Sequence, residues 1–228
     1  MLVFGLVTSA FDFGTDFNFA WSVPKDCENT TANGSQPFDK IFVSSPCGLL
    51  YHKNVERLSY TYIAYPGLFL AFNAVHLLVK WQFQDGKTIC QRLTKAFLVV
   101  LEVSLVVGLL VAAMWSNVWE NQLPRLALFY DLTIQGMAYI SALLVFGIKA
   151  LGVFSHGPKT KNLVQLATKD ETIFEAATQL ALMMRILMSS GVRSEAGSLS
   201  ALSSILVIMK VVLLHHHHHV YDQDHNSD

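Results

Sequence analysis

Apolar runs of about the length needed to cross a bilayer recur along this chain, and they constrain its fold more than any other feature. A hydrocarbon core roughly 30 Å thick takes about 20 residues in helical form. The runs at 2–23, 60–81, 96–119, 126–154 and the less apolar segment 171–190 reach that length, and 198–214 comes close to it. Composition agrees. Hydrophobic residues make up 52% of the 228-residue chain and charged residues only 14%, where an ordinary soluble domain carries about a quarter. The mean hydropathy is +0.39. The predicted fold is all-α, a polytopic transmembrane helical bundle of five or six membrane helices within a single domain, residues 1–214, followed by a polar His-rich tail, 215–228.

Charge placement sets the expected orientation. Net charge is −1, which leaves no basic excess for a nucleic acid. Lys80, Lys87, Arg92 and Lys95 gather around 82–95, and Lys149, His156, Lys159, Lys161 and Lys169 around 155–170. Basic loops stay on the cytoplasmic side. Between the first two runs lies a polar segment, 24–59, with Cys27, Cys47 and the sequons at Asn29 and Asn33. Sequons flanked by paired cysteines point to an outer loop, glycosylated at Asn29 and Asn33 and closed by a Cys27–Cys47 disulfide, with two free thiols as the other reading. The N-terminus is then cytoplasmic. A signal peptide is disfavoured at residues 2–23, because no Lys or Arg precedes the run and Asp12 and Asp16 interrupt it. The segment 171–190 is expected either to cross or to form a re-entrant helix turning back at Ser189-Ser190-Gly191. Lys210 is expected to snorkel to the interface.

The few charges inside the runs are the informative ones. Asp12 and Asp16 are four apart, on one face of the first helix, and an ionised group at bilayer depth normally faces protein or water. Acids recur at Glu102, Asp131 and Glu175, with Gln135 and Gln179 one turn beyond the last two. Arg185 is the expected central cation, in salt-bridge or water-bridged reach of Asp12 or Asp16. Each of these residues also has a plainer reading, as a solvated edge residue or a helix-pairing contact. No Gly-rich phosphate loop or Cys/His metal spacing is present, and the apolar runs hold no histidine beside a plausible nucleophile other than His76, which reads as a packed helix residue, so neither an enzyme, nor a metal site, nor a cofactor is expected. The five histidines at 215–219 are assigned no function.

Two stretches, Phe11-Asp12-Phe13-Gly14-Thr15-Asp16 and Phe174-Glu175-Ala176-Ala177-Thr178-Gln179-Leu180, resemble the XK-related family of membrane proteins, several of which scramble phospholipids. In that family the second stretch usually reads Glu, two small residues, Pro, Gln, Leu, and belongs to a helix in the membrane core. Thr178 stands here at the proline position, which leaves the helix less kinked. The resemblance runs loosely over residues 3–190, and family members usually have further membrane helices, so a short or truncated form is one reading. It implies passive, energy-independent movement of lipid headgroups past a polar track lined by Asp12, Asp16, Glu102, Asp131, Glu175, Gln179 and Arg185. Membrane lipids would be the partners, in the plasma membrane, with a partner subunit or a second copy as a further expectation. Two alternatives stay open: an ion or proton-coupled transporter using the same acids, and a non-transporting adhesion or regulatory subunit.

Overall fold

The computed structural model describes residues 2–32, 52–82, 89–155, 157–190 and 195–225, with no strand among them. Seven α-helices follow in order: α1 Leu2–Ala32, α2 His52–Gln82, α3 Ile89–Gln122, α4 Pro124–Phe154, α5 Pro158–Asp170, α6 Ala177–Ser190 and α7 Glu195–His225. A π-helical segment, Glu171–Ala176, joins α5 to α6. Three stretches are long and apolar enough to cross a membrane: Ile89–Trp115, Pro124–Phe154 and Glu195–Leu213.

The boundaries follow local chemistry. Leu123 leaves the helical range and Pro124 opens α4, where its missing N–H costs nothing because that position has no intrahelical acceptor. Ser155 ends α4 in an extended conformation, and Pro158 opens α5 in the same way. Inside α2, Pro66 removes one ladder donor, and the next amide, Gly67 N–H, donates to Ser141 Oγ on α4 at 2.7 Å. A methyl at Gly67 would lie 2.6 Å from Ser141. The glycine is what lets these two helices touch.

Register gives the helix directions. Arg57–Asp131 and Gly67–Ser141 share a separation of 74 residues, so α2 and α4 run parallel. Thr15 pairs with Ser203 and Thr8 with Lys210, so α1 and α7 run antiparallel. Ser9 and Glu171 share Lys149 Nζ and Asp16 lies beside Gln179, so the numbering advances together along both segments and α1 is parallel to the segment leading into α6.

Two apolar clusters hold the bundle. Phe19, Val55, Leu58, Ala113, Leu182, Met183, Ile186 and Ala201 join five helices. Phe13, Ala20, Tyr60, Ile63, Leu70, Ile134, Ala138 and Val145 form much of the second, with Phe17 stacked on Tyr139 at 4.5 Å. The outside is apolar too: Val3, Phe4, Val7, Phe97, Val100, Phe129, Leu132 and Leu143 are exposed. A molecule apolar outside and polar at its centre is built for lipid surroundings.

Three expectations change. The helix ends are not where the hydropathy runs stop: α1 continues to Ala32 and α2 begins at His52, so much of the loop expected at 24–59 is helical. Cys27 and Asn29 fall on the last turns of α1, while Cys47 and Asn33 lie outside the described residues, as does the turn at 191–194. The helical backbone of α7 also runs through the histidine tract to His225, since no Gly or Pro interrupts it. The chain is helical without a break from Pro158 to Ser190.

A buried carboxylate cluster between four helices

Asp12, Ser9, Thr15 and Asp16 occupy one stripe of α1, and all four are buried. Their spacing of three and four residues puts them on a single face. That face meets the π-helical segment, α7 and α4. The wider π turn sets Glu171 and Glu175 both inward, each 0% exposed, and π segments are common at functional sites.

One ligand atom from each of Asp12, Asp16 and Glu175 lies within 4.8 Å of the others. Ser200 Oγ donates to Asp16 Oδ1. Both Asp12 oxygens, both Glu175 oxygens and Asp16 Oδ2 are buried with no hydrogen-bond partner among the described residues. Gln179, fully buried against Asp16, has no well-aligned hydrogen bond at either amide atom. Buried polar groups are normally satisfied, so this concentration of unpaired acceptors calls for an explanation. Carboxylate and amide oxygens are the donor set of a hard cation such as Ca²⁺ or Mg²⁺. Asp12, Asp16 and Glu175, with Gln179 Oε1, are the residues that would hold one.

One turn further along α1 the chemistry changes sign. Lys149 Nζ, on α4, bonds both Ser9 Oγ and Glu171 Oε2. Beyond it, Lys210 of α7 reaches back to α1, with Nζ 3.4 Å from Thr8 Oγ1. A methyl at Gly5 would lie 2.8 Å from that ammonium. From Thr8 to Asp16 the polar column covers about 12 Å of helix.

Among the residues singled out in the sequence, Asp12, Asp16, Glu175 and Gln179 are brought together. The other three are not. Asp131 pairs with Arg57 of α2 through two bonds, 2.5 and 2.9 Å, with Glu120 at 3.7 Å. Glu102 is partly exposed on α3, which packs on α2 and α4. Arg185 is exposed on α6, and no hydrogen bond reaches either Asp12 oxygen. The cation the structure sets next to the cluster is Lys149, because residue 149 falls on the buried face of α4 and not in the basic loop that follows. Lys210 faces α1 at Thr8.

Arg57, Lys149, Glu171, Ser200 and Ser203 were missed as site residues. For Lys149 a signal was present, since it lies inside the run at 126–154. For Arg57 the outer-loop reading hid it. The absence of His/Cys metal spacing also gave no warning of a carboxylate cluster whose third member comes from a distant helix. No family model matches the chain, and no curated protein or solved structure matches it.

Proposed function

We propose that the chain is a multi-pass membrane protein that lets zwitterionic phospholipid headgroups pass between leaflets along its buried polar column, as the resemblance to XK-related proteins implies. The observation that carries this reading is the column itself. Within about 12 Å it presents Lys210 and Lys149 at one end and Asp12, Glu175 and Asp16 at the other. A headgroup carries a phosphate anion and an amine cation, and it cannot enter hydrocarbon unless polar groups replace its water. Lysines suit the phosphate and carboxylates the amine.

In this reading α1, α2, α3, α4, the α5–α6 unit and α7 cross the plasma membrane in turn, with the N-terminus cytoplasmic. Parallel α2 and α4 and antiparallel α1 and α7 are the directions that such alternation requires. Membrane lipids are the partners, and a second copy or another membrane subunit would cover part of the apolar outside. The test is purified protein in vesicles with fluorescent lipid in both leaflets. Dithionite should quench well beyond the outer-leaflet fraction, and quenching equal to that of protein-free vesicles rejects the proposal.

A second reading, cation binding at Asp12, Asp16 and Glu175, is favoured by the unpartnered carboxylate oxygens and by Gln179 beside them. It fits an ion-coupled transporter, or a scramblase whose helices α1 and α6 are held together by the ion. Added Ca²⁺ should raise the unfolding temperature of the detergent-solubilised protein, and Asp12→Asn should abolish that rise. An unchanged transition in the wild type rejects this reading.

A further inference from the structure

The carboxylate cluster has a cation of its own one turn away. Lys149 is 3% exposed and spends two of its three N–H donors on Ser9 and Glu171. Ser9 precedes Asp12 by one turn of α1, and Glu171 precedes Glu175 by one turn of the π-helical segment. The ammonium therefore sits one step below the two residues whose oxygens have no donor, Asp12 and Glu175. Glu171 Oε1 is also buried without a partner. On a flexible four-carbon stem, the ammonium has two carboxylate neighbourhoods within reach.

We propose that Glu171 is a positioning residue that holds Lys149 off the Asp12–Asp16–Glu175 site, so that the pair acts as a tethered cation with two resting places. With Lys149 on Glu171 the three-carboxylate site is open to a free divalent cation. With Lys149 on Asp12 and Glu175 the site is filled by the protein's own ammonium. This inference rests on the cation-binding reading above.

Gln179 makes this more than a group of acids. Its amide is fully buried against Asp16 with no well-aligned hydrogen bond at either polar atom, although an amide can satisfy up to two donors and two acceptors. A site meant only for Lys149 would place the ammonium among the three carboxylates. Here it stands next to them, and the oxygens it would satisfy are left open.

The experiment is a double-mutant cycle on purified protein in nanodiscs, with ⁴⁵Ca²⁺ equilibrium binding as the readout. Wild type should bind. Glu171→Gln should weaken binding at least about 10-fold more than the loss of one nearby charge, because Lys149 then moves onto the site. Lys149→Met should bind at least as tightly as wild type. In Lys149→Met/Glu171→Gln no ammonium remains to block the site, so binding should recover and the cycle should show a coupling of about 10-fold or more.

Charge loss alone predicts additive effects, so a cycle without coupling overturns the inference and leaves the cation reading standing. Binding by Lys149→Met but not by wild type also overturns it, since Lys149 would then rest on the site. No binding by any of the proteins removes both the inference and the reading beneath it. Should Glu171→Gln not purify as a monodisperse protein, Lys149→Met decides alone: weakened binding overturns the proposal, and retained or tightened binding supports it.

Discussion

The ionised side chains of this protein are placed according to the energetic cost of burying them. Arg57 is 2% exposed and is matched by Asp131 in a two-bond fork, with Glu120 at the rim. Removing one member of such a pair strands the other. Asp131→Ala should therefore lower unfolding stability by about 3 kcal/mol, while Glu120→Ala should cost less than about 1 kcal/mol. Chemical unfolding in micelles separates the two, and equal effects would argue against a buried pair. At this scale the sequence was partly legible. The spacing of Asp12 and Asp16 was enough to place both inward, because a four-residue step fixes a shared face. The partner of an acid was not legible: Asp131 finds Arg57, and Glu171 finds Lys149, only because helices distant in the chain lie side by side.

Among the elements, the apolar runs marked where helices lie and left their ends undetermined. Polar residues such as Asn54, Arg57 and Ser59 lower the hydropathy at the start of α2, yet they are buried against other helices. Hydropathy treats them as loop, whereas the packed bundle gives them partners. The π-helical segment was not legible either. Nothing in Glu171-Thr172-Ile173-Phe174-Glu175-Ala176 marks a wider turn. It is held by what it packs against, including Phe174 stacked on Phe69 at 3.8 Å. The Gly67–Ser141 approach gives the sharpest prediction for an element. A methyl there meets backbone and side chain of α4 at 2.6–2.7 Å, so Gly67→Ala should destabilise by about 1–3 kcal/mol. Gly14→Ala, where a Cβ meets nothing within 4 Å, should leave stability unchanged or slightly raised. Thermal unfolding of the two variants checks the contrast.

For the molecule as a whole, the sequence disclosed an all-helical protein with spans apolar enough for a membrane. It did not disclose which acids would meet. Asp12, Asp16, Glu175 and Gln179 converge because α1 and the π-helical segment run parallel in matched register, a relation between helices far apart in the chain. Glu102, Asp131 and Arg185 stand on other faces, so the expected seven-residue track contracts to a shorter column that Lys149, Lys210, Ser200 and Ser203 complete. The central claim is that this column carries lipid headgroups. The most direct measurement is the rate of leaflet exchange in vesicles containing equal amounts of wild type, Asp12→Asn/Glu175→Gln, and the lipid-facing variant Phe129→Ala, each verified as monodisperse before reconstitution. The account predicts rapid exchange for wild type and Phe129→Ala, and at least about a 10-fold loss for the double variant, the equivalent of 1.4 kcal/mol in the barrier. Exchange at the wild-type rate in Asp12→Asn/Glu175→Gln would contradict it.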